Sequence, residues 1–356
     1  MLDHHLMAAP MAALDTPAAS SLRWAASRCL RSAPYHQPCD RCASHCPVEA
    51  LVFCEDEQQS PRLRATDSCH GCGACLPTCP TEALLSVDVE ALSNDLMQNT
   101  PSSQLTLSCH RSHTADATAQ HCLRALGLDQ LQHWRQQLKL EQVELHVADD
   151  CQSCPAASKN GQSDFWWQQM HDSPNIQLRP ELNSSANYAP ARGARLSRRS
   201  LFAGQARADI TIQEQGQAAS ARRQQRLFHA LESMSEPLPK LPQAALDPNR
   251  CDAHGICSSV CPTKALSVNA EGSLLFDPLA CTDCGACQTH CPTQALTFSQ
   301  GNEHQSYRLN QSVEHSCFDC GRAFRTTKST EQTRPRCPAC ERDQSLFKED
   351  FHQLFG

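Results

Sequence analysis

The chain has 356 residues, 24 cysteines, a net charge of -7 and only 5% aromatic residues. Its length predicts two or three domains, and so few aromatics predict small apolar cores that bound metal must reinforce. No basic block marks a nucleic-acid face, and the cysteines fall in C-x2-C groups rather than in a secreted disulfide framework, so the expected compartment is the reducing cytoplasm.

Residues 1–24 read as a tail. The stretch MLDHHLMAAPMAALDTPAAS holds acidic residues, prolines and no long apolar run, which predicts neither an export signal nor a membrane anchor. Cys29 follows, then Cys39-x2-Cys42-x3-Cys46-Pro47. The next group is complete: Cys69-x2-Cys72-x2-Cys75-x3-Cys79-Pro80. Such a C-x2-C-x2-C-x3-C-P run suits 4Fe-4S clusters, three close thiolates wrapping one cube while the fourth reaches a neighbouring one. Gly71, Gly73 and Ala74 fit a tight loop whose amides approach the cluster sulfurs.

In the first group the leading cysteine has moved. The missing ligand is His36, three residues ahead of Cys39, or Cys29 across a nine-residue loop, and thiolates hold such clusters far more often than imidazoles do. Cys54, beside Leu51, Val52 and Phe53, reads as a buried core thiol. Pro47-Val48-Glu49-Ala50-Leu51 and Pro80-Thr81-Glu82-Ala83-Leu84 repeat one another, predicting a short helix and then a strand after each motif. On these motifs about residues 25–90, within a unit expected to span 25–95, resemble the bacterial two-cluster ferredoxin family. The resemblance implies crossed ligation, one cube on Cys29, Cys39, Cys42 and Cys79 and the other on Cys69, Cys72, Cys75 and Cys46.

Residues 96–185 alternate strand and helix patterns. Leu105-Thr106-Leu107 reads as a strand ending at Cys109, and Cys122 opens a run of Leu123, Leu126, Leu131, Trp134 and Leu138 at near-helical spacing. A second strand at Val143–Val147 ends ahead of Cys151-x2-Cys154, and a helix at 165–170 and a strand at 176–178 complete a β-α-β-α-β unit. Its strands would be parallel, with Cys109, Cys151 and Cys154 at their carboxyl ends, where open α/β sheets bind ligands. The C-x12-C-x28-C-x2-C arrangement is similar to the small iron-sulfur subunit family that links hydrogenases to heterodisulfide reductases. That resemblance implies a 2Fe-2S centre on Cys109, Cys122, Cys151 and Cys154. Structural zinc and a C-x2-C redox pair are the competing readings, and the dithiol ranks last because it leaves Cys109 and Cys122 idle.

Residues 186–245 read as a linker with a surface helix. Ser197-Arg198-Arg199-Ser200-Leu201-Phe202 resembles a twin-arginine export signal, but it sits mid-chain and no apolar stretch follows it. A helix through Arg222, Arg223, Leu227, Phe228 and Leu231 is expected, with Pro237, Pro239 and Pro242 closing the linker.

Residues 246–300 repeat the ferredoxin pattern. Cys251-x2-His254-x2-Cys257-x3-Cys261-Pro262 carries histidine at the second ligand position, and Cys281-x2-Cys284-x2-Cys287-x3-Cys291-Pro292 is complete. The family's crossed rule implies one centre on Cys251, Cys257 and Cys291 and a second on Cys281, Cys284, Cys287 and Cys261. Where family members replace the second cysteine, the cluster is 3Fe-4S or takes an unusual fourth ligand, so His254 is either a ligand or a bystander. Ligation by neutral imidazole would raise the potential.

In residues 301–356, Cys317-x2-Cys320 and Cys337-x2-Cys340 stand sixteen residues apart, a zinc-ribbon spacing, with strand-like residues at Tyr307–Val313 and a knuckle glycine at Gly321. Rubredoxin-like iron is the rival metal; the polar, basic sequence between the pairs favours zinc. The expected architecture is α+β and multidomain: two ferredoxin-like units flanking a small α/β domain, with a C-terminal zinc ribbon.

The sequence shows no dinucleotide fingerprint, P-loop or nucleophile motif. The expected function is therefore soluble, cytoplasmic one-electron transfer through three to four 4Fe-4S clusters between donor and acceptor redox proteins, a molybdenum or tungsten oxidoreductase among them. Catalysis would lie in a partner. The alternative is an accessory protein for maturation of an anaerobic metalloenzyme such as a formate dehydrogenase.

Overall fold

The computed structural model describes residues 22–55, 61–99, 103–109, 112, 118–120, 122–148, 154, 165–181, 211–212, 218–327 and 334–344. Cys151 and the arginine string at 195–202 lie outside them. The chain divides into two compact units, residues 1–32 with 40–216 and residues 33–39 with 217–356. Among the described residues no helix is long and apolar enough to cross a membrane.

The first unit opens with β1 (Leu22–Trp24), short helix α1 (Arg41–Ser44), the antiparallel hairpin of β2 (Leu51–Glu55) and β3 (Pro61–Ala65), and β4 (Leu84–Ser86). β1 pairs antiparallel with β4, Leu22 opposite Ser86, so residues 22–24 are a strand rather than tail. Leu22-Arg23-Trp24 alternates, but three residues are too short a run to signal a strand by themselves; β4, some sixty positions on, supplies the hydrogen bonds. Cys54 lies on β2 opposite Arg62, half-buried, with its thiol 3.6 Å from the Arg62 carbonyl; it is a strand-edge residue and not a core one.

Helix α2 (Val87–Gln98) follows β4 directly and leads into the α/β sheet of β5 (Gln104–Cys109), β6 (Thr118–Gln120), α3 (Leu128–Leu138), β7 (Gln142–Ala148), α4 (Phe165–His171) and β8 (Ile176–Glu181). The order β6-β5-β7-β8 is parallel throughout, so the expected β-α-β-α-β unit is present with one added edge strand. A further short strand, β9 (Thr211–Ile212), pairs parallel with β1.

This unit carries two cores of different character. Beneath the parallel sheet, Leu105, Leu107, Val143 and Leu145 pack against Leu131 and Trp134 of α3 and Leu92 and Leu96 of α2. Side chains of this size contribute about 1.5–3 kcal/mol each when fully buried. The ferredoxin core is smaller, built on Leu22, Trp24, Leu51, Leu63 and Leu84 and completed by Cys29 and Cys75. Thiols there occupy places that aliphatic side chains fill elsewhere.

The second unit contains α5 (Arg222–Ser233), β10 (Leu241–Leu246), α6 (Ile256–Ser259), β11 (Leu266–Val268), β12 (Ser273–Phe276), α7 (Ala286–Thr289), β13 (Leu296–Gly301), β14 (Tyr307–Gln311), β15 (Val313–Ser316) and β16 (Ala323–Thr326). β10 and β13 close the ferredoxin-like element as β1 and β4 do in the first unit, Leu246 opposite Leu296. Pro242, expected at the end of a linker, lies inside β10 opposite Gln300. β14, read from sequence as part of the ribbon, pairs instead with β12, extending the β11-β12 hairpin to three strands. β15 and β16 form an antiparallel hairpin, one strand on either side of the first C-terminal cysteine pair.

Candidate metal centres

The four ferredoxin motifs share one backbone device. In Cys-Pro-x-x-Ala-Leu the residue before alanine adopts a left-handed conformation every time: Glu49 (φ 52), Glu82 (φ 51), Lys264 (φ 59) and Gln294 (φ 50). The sequence reading placed a helix here. The short helices α1, α6 and α7 instead precede the last cysteine, and the segment after it is a turn into the next strand. The turn aims the following amide at the cysteine sulfur: Ala50 N–H donates to Cys46 Sγ at 3.2 Å, Ala83 to Cys79 at 3.2 Å and Ala295 to Cys291 at 3.4 Å. Threonine adds a hydroxyl in three motifs, Thr81 beside Cys79, Thr263 beside Cys261 and Thr293 beside Cys291, at 3.6–3.8 Å. Donors aimed at sulfur stabilise thiolates and raise the potential of whatever those thiolates bind.

In the second unit the cysteines line two cavities. Cys261, Cys281, Cys284 and Cys287 surround one of about 20 Å³, together with Thr282, whose buried hydroxyl has no hydrogen-bond partner. Burial, and then the neighbouring sulfurs, push the Cys287 thiol up to about 12; burial does the same to Cys281, against a hydrogen bond from the Asp283 amide. Cys251, Cys257, His254 and Cys291 line the other cavity, of about 110 Å³. Each set takes its last cysteine from the other motif.

His254 stands in a loop with the same backbone as its counterpart. Ala253 (φ 54) and Gly255 (φ 72) flank it as Asp283 (φ 52) and Gly285 (φ 74) flank Cys284. Its side chain is exposed and lines the larger cavity.

In the first unit, Cys46 acts electrostatically on Cys69, Cys72 and Cys75, three thiols that burial has already pushed above their ordinary range, Cys72 to about 11. Gly71 and Gly73, both at φ 70, flank Cys72. Cys29 is buried; desolvation pushes its thiol up, the Arg31 amide pulls it down and Cys79 pushes it up again. Trp24 Nε1 and Ser32 Oγ act on the same thiol and, buried without partners of ordinary geometry, are donors suited to an anionic, sulfur-rich group. Cys42 and Cys79 pack against the same apolar cluster as Cys29. His36 is exposed, and Cys39, within the 33–39 segment, is half-buried with its amide bonded to the Gln37 carbonyl.

The four C-terminal cysteines make a tighter arrangement. The sulfurs of Cys317, Cys320, Cys337 and Cys340 lie within 4.8 Å of one another, and among the described residues this is the one group of three or more donors closed to single-ion dimensions. Gly321 (φ 70) makes the knuckle, its amide bonding the Cys317 carbonyl at 2.9 Å. Amides of Cys320 and Cys337 hold the Cys317 thiol down at about 6, while hydrogen bonding with Cys337 pushes Cys340 up. Four thiolates at this spacing fit a tetrahedral ion.

The motif match that bears on these sites covers the two complete groups. Residues 65–85 and 274–297 match the 4Fe-4S binding domain family. The chain therefore carries two 4Fe-4S binding domains and, separately, a four-cysteine metal site. No curated protein is significantly similar to it. The donor chemistry agrees with the match, since both matched segments present buried and half-buried thiols, with an amide and a hydroxyl beside the last of each, Cys79 and Cys291.

The middle cysteines are brought partly together. Cys109 ends β5 within the sheet core, Cys122 is buried just ahead of the 3-10 turn Leu123–Ala125, and half-buried Cys154 packs against both places. Cys122 also packs with Cys72 of the ferredoxin element. The sequence carried no sign of that contact, because it joins two separately read motifs.

Proposed function

We propose that this protein is a polyferredoxin-type electron carrier, passing single electrons from a donor oxidoreductase to an acceptor in the cytoplasm, with no chemistry on a substrate of its own. The observation that carries the reading is the crossing of ligand sets in the second unit, where Cys261 joins Cys281, Cys284 and Cys287 around one cavity and Cys291 joins Cys251 and Cys257 around the next. Bound there, iron-sulfur clusters accept and release one electron at a time. The protein's part is to fix thiolates, aim amide and hydroxyl donors at their sulfurs and wrap them in small apolar cores.

The proposed sets are Cys281, Cys284, Cys287 and Cys261; Cys251, Cys257 and Cys291 with His254; Cys69, Cys72, Cys75 and Cys46; and Cys29, Cys42 and Cys79, to which the motif adds Cys39. The burial of Cys29 beside Cys79 and the exposure of His36 support the cysteine at that position. We assign Cys109, Cys122 and Cys154, with Cys151, to a fifth centre of 2Fe-2S type; the packing of Cys154 against the clusters that hold Cys109 and Cys122 supports it. Zinc is assigned to the C-terminal site.

Anaerobic purification followed by iron, sulfide and zinc analysis and a redox titration read by electron paramagnetic resonance tests this. About seventeen or more irons, near-equal sulfide and one zinc are expected, from four clusters of three to four irons each and one of two. Zinc throughout with negligible sulfide would sink the reading.

A second reading, an accessory to maturation of a molybdenum or tungsten enzyme such as a formate dehydrogenase, has one feature in its favour. Phe318 on the ribbon is 55% exposed with the Arg334 guanidinium 4.6 Å above its ring, a surface suited to protein contact. Deleting the chain would then lower the metal content of that enzyme, whereas loss of an electron carrier would leave the content intact and lower only its turnover.

A further inference from the structure

The two cavities of the second unit differ in what stands beyond the cysteine motifs. That of Cys281 is enclosed almost wholly by motif residues and Phe276 and Phe298 of the strands. That of Cys251 has an additional wall of Val268, Gly272, Leu274, Asn310, Ser312 and Arg325, the last three from β14, the ribbon hairpin and the residue joining them.

This wall is tied down at three points. Asn310 on β14 places Nδ2 3.8 Å from Cys251 Sγ, and its Oδ1 accepts the Leu274 amide at 3.2 Å, which orients the side chain with its N–H toward the sulfur. The Thr327 hydroxyl, immediately after β16, lies 2.7 Å from the Cys251 carbonyl and 2.9 Å from that of Pro248 and shares its proton between them. The third point is the turn between β11 and β12. There the Ser312 hydroxyl donates to the Gly272 carbonyl at 2.7 Å, and the Arg325 guanidinium occupies the space that a Cβ on Gly272 (φ 80) would need. Arg325 is held in place by Glu314 across the hairpin at 3.4 Å.

The hairpin thus has a metal site at one end and a cluster site at the other. Ser316 and Ala323 are opposite each other next to Cys317, while Val313 and Thr326 are opposite each other next to Ser312 and Thr327. Four directly paired positions, eight residues in all, separate the two ends, and the Glu314–Arg325 ion pair ties the strands across the middle.

We propose that the ribbon hairpin is the outer wall of the His254 centre, with Asn310 and Thr327 as positioning residues for Cys251, so that metal at Cys317, Cys320, Cys337 and Cys340 sets the potential of that centre alone. The inference rests on the cluster reading of Cys251, Cys257 and Cys291 given above. Reduction adds negative charge to the cluster's sulfurs, which an N–H donor stabilises and water exposure alters, so the wall acts on potential through both. The Cys281 cavity has no hairpin residue in its lining.

The test uses the full chain, reconstituted anaerobically with iron, sulfide and zinc, and reads each centre by redox titration with paramagnetic resonance alongside its iron content. In Asn310→Leu the potential of the Cys251 centre falls and that of the Cys281 centre stays; Thr327→Val moves the same centre. In Cys337→Ser/Cys340→Ser, where zinc is lost, the Cys251 centre again shifts or loses iron while the Cys281 centre keeps its own. Should all three variants leave the Cys251 centre's potential and iron unchanged, the hairpin is a passive appendage and the proposal is wrong. A Cys257→Ser variant tests the reading beneath it: if that substitution removes no centre at all, the cluster assignment itself fails, and the coupling with it.

Discussion

Gly73 and Ala125 approach so closely that a Cβ added to Gly73 would stand 2.6 Å from the Cβ of Ala125. Gly73 belongs to the second ferredoxin motif and Ala125 to the turn after Cys122, so the bare backbone of that loop meets the Ala125 methyl of the α/β domain. Gly285, the matching glycine of the fourth motif, has the same left-handed φ and nothing within 4 Å of its added Cβ. Gly73→Ala should therefore cost about 2–4 kcal/mol, left-handed strain plus overpacking, against about 1–2 kcal/mol of strain alone for Gly285→Ala. Denaturant titration of the two variants under anaerobic conditions compares them; equal losses would mean that the Gly73 contact carries no packing cost.

The packing of Cys72 on Cys122 gives the middle cysteines unequal reach. Cys109→Ser should remove the middle centre and leave the spectrum of the Cys69, Cys72 and Cys75 cluster as it was. Cys122→Ser should remove the middle centre and also shift that cluster's signal, since the substitution alters the wall behind Cys72. Identical spectra from the two variants would show that the contact transmits nothing.

His254 shares the loop geometry of Cys284 yet offers an imidazole where its sibling has a cysteine sulfur. Less negative charge at the centre predicts a potential above that of the Cys281 centre. His254→Cys should bring the two closer together and convert any three-iron signal to a four-iron one. An unmoved titration curve would leave His254 as an exposed bystander.

Trp166 donates from Nε1 to the Leu126 carbonyl at 2.7 Å, a buried bond holding α4 to the turn that carries Cys122 and Ala125. Trp166→Phe keeps most of the apolar area and strands the carbonyl, for an expected loss of about 1–3 kcal/mol. The loss should appear in the first unit's unfolding transition, with the iron of the Cys281 centre retained.

The features legible in the sequence are local. Cysteine spacings act over about a dozen residues, so the loops around Cys72 and Cys284, the ribbon pairs and the recurrence of Cys-Pro-x-x-Ala-Leu were legible without a fold, as was the parallel sheet, whose strands and helices carry strong periodicity. The turn in that same repeat carries no local signal, because glutamate, lysine and glutamine rarely adopt positive φ; in three of the four copies the following amide then bonds a cysteine sulfur. Tertiary structure alone decided which distant residues meet. Leu22–Trp24 and Leu241–Leu246 became strands because β4 and β13 supplied their partners, and β14 left the ribbon for β12 because its hydrogen bonds are satisfied there. The wall of Asn310, Arg325 and Thr327 about Cys251, and the contact of Cys72 with Cys122, follow from the same cause: packing and pairing are satisfied between segments far apart in the chain, and no spacing rule records them.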